Sequence, residues 1–126
     1  MTQHHLTILT GASRGMGLAM ARQLLSPHRH LLCISRQTNS ELEVLAVQQG
    51  AALTLWSQDL ADTQASAERL QAWLKALDAT RLASATLINN AGVIPRIGPI
   101  DECPPDELAN ALRVGLEAPM QLTAAF

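Results

Sequence analysis

Apolar runs typical of strands alternate with apolar stripes typical of helices along the whole chain. This alternation is typical of βαβ units built around a parallel sheet. Each run is short and is followed by turn-forming residues or by helical periodicity, which favours buried strands over long helices. The predicted strands are Leu6–Thr10, Leu31–Ser35, Ala52–Trp56 and Thr86–Asn89.

The first two predicted helices have recognisable start and stop signals. The first runs from Met16 to Leu25 and ends before Ser26-Pro27, because proline cannot continue a helix. Ser40-Glu41-Leu42-Glu43 has the pattern of a capping box with Ser40 as N-cap, and Gly50 is placed to end that second helix.

Two further helices follow from apolar periodicity. Leu70, Trp73, Leu74 and Leu77 recur at the spacing of one helical face. The last helix starts near Pro105 and reaches Phe126 without a C-cap glycine or a closing cation, so the chain is predicted to end within an element. Its predicted apolar stripe is Leu108, Ala111, Leu112, Gly115 and Leu116.

Composition narrows the class of protein. The chain has 126 residues, 48% hydrophobic, with a formal net charge of −2. A nucleic-acid partner would usually require a basic face, so none is expected. No apolar run approaches the roughly 18 residues of a membrane span, and the first five residues lack a secretory signal pattern. We therefore predict a cytoplasmic protein without a membrane partner.

Cysteines and histidines suggest no metal site. Cys33 and Cys103 have neither metal-ligand spacing nor the pattern of a secreted disulfide framework, so both are expected to be free thiols. No cysteine or carboxylate lies at ligand spacing from a histidine. The histidines are His4, His5, His28 and His30.

The stretch Thr10-Gly11-Ala12-Ser13-Arg14-Gly15-Met16-Gly17 carries the most specific signal. It follows the first strand and opens the first helix. Glycines allow a tight turn and close approach of the backbone to a ligand, while free N–H groups and the helix dipole favour an anion. The stretch therefore predicts a seat for the pyrophosphate of a nucleotide.

The end of the second strand predicts which dinucleotide binds. A carboxylate there would hydrogen-bond a ribose 2′-hydroxyl, whereas an arginine accommodates a 2′-phosphate. The strand ends in Ser35-Arg36-Gln37, and no acid occurs before Glu41. We expect Arg36 and Arg14 to form a phosphate clamp, so NADP is preferred over NAD. The alternative is that both arginines are solvated surface residues.

Two motifs together carry a family resemblance. Thr10-Gly11-x-x-x-Gly15-x-Gly17, joined to Asn89-Asn90-Ala91-Gly92 after the fourth strand, resembles the short-chain dehydrogenase/reductase family. The resemblance covers the whole chain but only the first half of the family's usual length. It implies an α/β fold, a partial Rossmann-like doubly wound parallel sheet of order 3-2-1-4 with helices on both faces. Residues 1–126 would form one NAD(P)-binding domain, truncated at its C-terminal end.

The resemblance also implies roles for individual residues. The glycine turn would cradle the cofactor, Asp59-Leu60 would hold the adenine, and the asparagine segment would run along the cofactor and steady the sheet. Asp59 also fits a loop or helix-cap role. The implied cofactor-binding residues are Gly11, Ser13, Arg14, Gly15, Met16, Gly17, Arg36, Asp59, Leu60, Asn90, Ala91 and Gly92.

The sequence departs from the family's pattern at the residues that perform the family's reaction. The family uses a Ser, a Tyr and a Lys four residues after that Tyr, but this sequence has no Tyr and its one lysine is Lys75 on the third helix. A further family asparagine falls at Gly115. Pro119 cannot donate to the Gly115 carbonyl, which predicts a kinked helix there. A glycine kept for close helix packing is the alternative.

Three functional hypotheses remain open from the sequence. The chain is the NADP(H)-binding part of a short-chain oxidoreductase that transfers hydride between nicotinamide and a carbonyl or alcohol, with an unknown substrate. Alternatively it is a non-catalytic nucleotide-binding module, or a truncated remnant without activity of its own. Because the catalytic Tyr and Lys are missing, we predict that these 126 residues are inactive alone. An open sheet with an edge strand predicts association, including a homo-oligomer.

Overall fold

The computed structural model describes residues 3–126; Met1 and Thr2, part of the N-terminal stretch assessed for a signal, lie outside the described residues. The chain divides into two compact units. The first comprises residues up to Gln58 together with Ala76–Asn90, and the second comprises Asp59–Lys75 with Ala91–Phe126.

The first unit contains a four-stranded parallel sheet. Its strands are β1 (His4–Thr10), β2 (Arg29–Ser35), β3 (Ala52–Ser57) and β4 (Leu82–Ile88), in the order β3-β2-β1-β4. The predicted strand order is confirmed. All three pairings are parallel, with Thr7 beside Leu31 on one side and beside Thr86 on the other.

Two helices of the first unit pack on this sheet. α1 (Gly15–Leu24) contacts β1 and β2, and α2 (Ser40–Gln49) contacts β3 and α1. Both helices and the central strands contribute to one apolar cluster, which burial in a close-packed interior stabilises. Its buried members are Leu9, Ala12, Ala21, Leu25, Leu31, Cys33, Leu42 and Ala46.

The N-cap of α2 differs from the prediction. Asn39, not Ser40, precedes the helix with an extended backbone, and its side chain accepts a hydrogen bond from the Glu41 N–H. Asparagine and serine cap about equally well, so the local pattern could not decide between neighbours. The capping box centred on Ser40 was wrong, whereas Gly50 does end the helix, with a φ of 63°.

Strand β4 begins four residues before its predicted start at Thr86. The segment Leu82–Ala85 has small and polar residues, so its sequence pattern does not predict a strand. It pairs with β1 all the same, and the backbone register shifts between His4 and His5. Pairing with a buried neighbour, rather than propensity, sets this boundary.

The second unit contains three helices. They are α3 (Thr63–Ala76), α4 (Pro105–Leu112) and α5 (Ala118–Ala125), and α4 and α5 are joined by a π-helical turn at Arg113–Glu117. Short 3₁₀ helices that the sequence pattern did not predict lie at Ala79–Arg81, in the first unit, and at Ile100–Glu102, in the second.

The buried face of the last helical segment is not the predicted stripe. Leu112 and Leu116 are 63% and 56% exposed, whereas Val114, Ala118 and Leu122 are buried. The buried positions recur every four residues, a stripe that the apolar pattern also allows, and Leu112 lies outside it although it precedes the π turn. The helical backbone does run on from Pro105 to Ala125, as predicted, with the π turn as an irregularity within it.

Candidate functional site

The glycine turn of the first unit joins β1 to α1, and its three glycines have conformations or surroundings that other residues fit poorly. Gly11 and Gly15 have φ values of 72° and 57°, a backbone region that glycine enters at little cost. A Cβ atom added to Gly17 would overlap the Gly11 carbonyl oxygen and lie 2.6 Å from Asn90 Nδ2. The turn therefore requires glycine at three positions for two different physical reasons.

The N-terminus of α1 can accept an anion. Its N-cap, Arg14, has an extended backbone and makes no side-chain hydrogen bond to the helix, and the first turn contains no acidic residue. The first N–H groups of a helix have no partner within the helix, and the dipole places partial positive charge there. Met16 follows in the first turn and is exposed. This arrangement suits a phosphate group.

Asn90 holds the end of β4 against the glycine turn. Its backbone N–H donates to Thr10 Oγ1 at 3.0 Å, and its side-chain Nδ2 donates to the carbonyl oxygens of Thr10 and Gly11, both at 3.2 Å. Thr10 is buried, so these hydrogen bonds satisfy groups that water cannot easily reach. The asparagine has a structural role in the shape of the turn.

Ser35 connects the end of β2 to the same turn, a role that the sequence did not predict. The buried Ser35 Oγ accepts from the Ala12 N–H at 2.9 Å, and the Gly11 N–H donates to the Ile34 carbonyl at 2.9 Å. A hydroxyl at the end of a run of buried apolar residues is the signal that could have identified it, since a buried polar group needs a partner.

The two arginines predicted to clamp a phosphate lie on neighbouring loops of the first unit. Arg14 precedes α1 and Arg36 follows β2, and both side chains are exposed. Within residues 3–126 neither guanidinium forms an ion pair, in contrast to Arg22, which pairs with Glu41 at 2.7 Å. Both cations are therefore available to a ligand.

A small recess lies where these loops meet. It is bounded on one side by the glycine turn and on another by the segment that follows β2, so it adjoins the position where a ribose-reading residue is expected. Its lining residues are Ala12, Ser13, Cys33, Ser35, Gln37, Thr38, Asn39, Leu42, Leu55 and Trp56.

The other predicted cofactor-binding residues belong to the second unit. Asp59 Oδ1 accepts from the Ala61 N–H at 2.9 Å, a local turn that agrees with the loop role left open for this residue. Leu60 is buried, Ala91 is half-buried and Gly92 is exposed. Their contacts with adenine or nicotinamide stay predictions.

The helix through Gly115 is irregular, as predicted. The π turn includes Gly115, and the Ala118 N–H donates to the Arg113 carbonyl, five residues back. Pro119 has no N–H, so the regular bond from residue 119 to the Gly115 carbonyl cannot form. A Cβ on Gly115 would meet nothing within 4 Å, so close packing does not explain the glycine.

Thiols and histidines of the described residues do not form a reactive or metal-binding group. Burial raises the pKa of the Cys33 thiol to about 12, so it stays protonated and unreactive near neutral pH. Cys103 is also a buried free thiol. Across residues 3–126, no three His, Cys, Asp or Glu side chains come together as metal ligands.

A parallel sheet whose first strand leads through glycines into an anion-accepting helix defines a dinucleotide-binding class of protein. The model of the short chain dehydrogenase family matches residues 5–126, and the chain belongs to this family. None of the helices within residues 3–126 is both long enough and apolar enough to cross a membrane.

Curated relatives of this chain include a reductase from two bacilli. The chain is 34% identical over 119 residues to a benzil reductase ((S)-benzoin forming) of Bacillus cereus, covering 94% of this chain and 48% of that protein. It is 32% identical to the benzil reductase of Bacillus subtilis, covering 96% and 47%. The chain thus spans about half the length of the curated relatives it matches.

Solved structures share the fold. A metagenomic short-chain oxidoreductase in complex with NADP superimposes with a TM-score of 0.81 at 30% identity, over 99% of this chain and 56% of that one. A short-chain dehydrogenase/reductase from Burkholderia vietnamiensis gives a TM-score of 0.79 at 32% identity, over 97% and 57%. The Rossmann-like fold is therefore confirmed.

Proposed function

We propose that this chain is the cofactor-binding half of a short-chain oxidoreductase that prefers NADP(H). The complete protein would transfer hydride between nicotinamide and a carbonyl or alcohol. The observation that carries the proposal is the glycine turn. There, Asn90 and Ser35 hold the backbone in place, and the first N–H groups of α1 have no side-chain cap. A pyrophosphate complements these donors.

The preference for NADP rests on charge. Arg14 and Arg36 are exposed cations without ion pairs within residues 3–126, and β2 ends in Ser35 rather than in a carboxylate. A 2′-phosphate would gain charge-assisted hydrogen bonds from a guanidinium, whereas a 2′-hydroxyl would lack the acidic acceptor that NAD-binding relatives of this architecture use. The NADP complex of the metagenomic relative is consistent with this preference.

For the remaining residues we propose the roles implied by the family. Ser13, Gly15, Met16 and Gly17 would contact the pyrophosphate side of the cofactor. Asp59 and Leu60 would hold the adenine, and Asn90, Ala91 and Gly92 would follow the cofactor towards the nicotinamide. Because the family model covers residues 5–126, we also propose that both compact units serve one cofactor-binding domain.

The substrate we propose is an apolar ketone. The two relatives from Bacillus species are named for benzil, a compact aromatic diketone. In the second unit, the segment that follows Asn90-Ala91-Gly92 presents three isoleucines: Ile94 and Ile97 in the loop, 83% and 90% exposed, and Ile100 at the start of the 3₁₀ helix, 77% exposed. Apolar side chains on a loop after a β-strand favour an apolar ligand over a charged one.

A non-catalytic nucleotide-binding module is the second candidate. It would bind the dinucleotide through the same glycine turn and act without the tyrosine that the family's proton transfer uses. We also propose association through β4, which forms an edge of the sheet and has exposed residues from Ala83 to Thr86. Unpaired strand edges readily pair with another chain.

Titration of the 126-residue chain with NADPH and NADH, followed by dinucleotide fluorescence, tests the cofactor proposal. We expect tighter binding of NADPH and a loss of about tenfold in its affinity in Arg36→Ser, the size of a lost charge-assisted hydrogen bond. Arg81→Ser, which removes an exposed arginine just before β4, is the matched control and should bind as the unaltered chain does. Equal affinity for both dinucleotides, or no binding, would overturn the proposal.

A further inference from the structure

We propose that Asn39 is a positioning residue that sets the preference for NADPH over NADH. It would do so by holding the loop that carries Arg36 against the turn that carries Arg14. The inference rests on the proposed cofactor function, and it assigns the discrimination between the two dinucleotides to a side chain that carries no charge.

One amide group of Asn39 makes two different contacts. Its Oδ1 accepts from the Glu41 N–H at 2.9 Å and so caps α2. Its Nδ2 donates to the Ser13 carbonyl oxygen at 3.2 Å, across 26 residues of sequence. The first contact orders the start of the helix after the loop, and the second ties that point to the glycine turn.

A second set of contacts holds the other end of the loop. Ser35 Oγ accepts from the Ala12 N–H at 2.9 Å, and the Ser35 carbonyl accepts from the Gln58 N–H at 2.8 Å. The Arg36 carbonyl accepts from Ser57 Oγ at 2.8 Å. The loop from Arg36 to Thr38 is therefore anchored before and after, at Ser35 and at Asn39.

These anchors adjoin both cations. Ser13, whose carbonyl accepts the hydrogen bond from the Asn39 amide, directly precedes Arg14. Asn39 lies three residues after Arg36. A guanidinium loses rotamer entropy when it binds a phosphate, and it would lose more if its backbone also had to be ordered. An anchored loop removes that second cost, so the contact should favour the 2′-phosphate and leave NADH binding unchanged.

Capping alone does not require asparagine at this position. Serine, threonine and aspartate also accept a hydrogen bond from a helix N–H. Asparagine differs from them because its side chain also has an amide donor, which reaches the Ser13 carbonyl. An aspartate would place a second acceptor, with a negative charge, against that carbonyl oxygen. A substitution that removes the Asn39 amide donor but keeps a cap acceptor therefore tests the positioning role apart from the cap.

The test compares Asn39→Ser with the unaltered 126-residue chain. Serine keeps the cap of α2 and loses the amide donor to Ser13. We expect NADPH to bind about three- to tenfold more weakly, the effect of one hydrogen bond, while the dissociation constant of NADH stays the same. Asn110→Ser, an equivalent substitution in α4, is the matched control and should leave both constants unchanged.

The ratio of the two dissociation constants is the decisive readout, because a merely structural role would weaken both ligands together. A ratio in Asn39→Ser within twofold of the unaltered chain overturns the inference while the cofactor proposal stands. Equal affinities in the unaltered chain overturn the cofactor proposal itself, and this inference with it. If Asn39→Ser does not fold, Asn39→Thr also keeps a cap acceptor without adding a charge, and it must show the same loss of discrimination.

Discussion

The backbone around Gly17 is the tightest point of the glycine turn. Its hydrogen atom faces the Gly11 carbonyl and the Asn90 side chain, where even one methyl group has no space. Packing of this kind cannot relax by rotating a flexible side chain, because the nearest atom belongs to the backbone. The third glycine of the motif is therefore a requirement of the fold itself.

Gly17→Ala should lower the free energy of unfolding by about 1–3 kcal/mol or more, the usual cost of overpacking. Chemical denaturation monitored by circular dichroism measures it. The control is Gly98→Ala, where an added Cβ meets nothing within 4 Å and the change should stay within about 0.5 kcal/mol. Equal stability of the two variants would contradict the close contact.

His30 predicts a dependence of stability on pH. Burial, and to a lesser extent the charge of His4, lowers the pKa of His30 from its usual 6.5, and its Nε2 lies 2.8 Å from Thr54 Oγ1. The unfolded chain then binds a proton more readily than the folded chain. This contribution to stability is complete above about pH 6.5 and is lost as the pH falls below it.

His30→Gln should therefore lose less stability than the unaltered chain between pH 8 and pH 5.5. Urea unfolding at both pH values measures the difference. Thr54→Ala keeps the imidazole and removes its hydroxyl neighbour, so it should retain the original pH dependence. If the free energy of unfolding of His30→Gln and of the unaltered chain falls equally between pH 8 and pH 5.5, the lowered pKa of His30 is ruled out.

Among the elements, the π turn links two helices of the second unit. Glu117, its last residue, accepts at Oε1 from Thr63 Oγ1 at 2.7 Å and from Gln121 Nε2 at 3.0 Å. Thr63 is the first residue of α3 and is buried. The carboxylate thereby connects the start of α3 with the irregular segment and with α5.

Glu117→Ala should destabilise the chain by about 1 kcal/mol, because Thr63 loses a partner that its buried position needs. Thermal unfolding followed by circular dichroism would detect this as a lower midpoint. Glu68→Ala removes an exposed acceptor that bonds Gln64 within the same helix at 2.9 Å, and it should change the midpoint little. If both variants unfold at the same temperature, the connection through Glu117 contributes nothing.

At the scale of the whole molecule, the proposed cofactor site must be distinguished from the residues that the family uses for its reaction. The glycine turn and its supporting residues are present, but the sequence contains no tyrosine and one lysine, Lys75 on α3. In this family hydride transfer is coupled to proton transfer by a tyrosine. These 126 residues therefore contain a proposed cofactor site, and the tyrosine that the family resemblance implies is not among them.

The purified 126-residue chain should bind NADPH and yet oxidise none of it in the presence of benzil, because it lacks a positioned proton donor. Loss of absorbance at the nicotinamide band measures turnover. The benzil reductase of Bacillus cereus, assayed alongside, is the positive control. Turnover that persists through repeated purification would contradict this prediction.

Local sequence determined the parts of this protein that depend on backbone geometry alone. The glycine turn, the alternation of strands and helices, the C-cap at Gly50 and the irregular helix at Pro119 were all predicted, because each follows from the conformational limits of one or two residues. The strand order followed from the family resemblance that these motifs carry. The predicted start and length of β4 were wrong, because pairing with β1 sets them.

The tertiary structure decided what depends on residues far apart in the sequence. Asn90 finds Thr10 across 80 residues, and Asn39 rather than Ser40 caps α2 while also reaching Ser13. The buried face of the last helices carries Val114, Ala118 and Leu122 rather than the predicted stripe. Hydrogen-bond partners and buried faces depend on which elements meet, and a one-dimensional pattern does not contain that information.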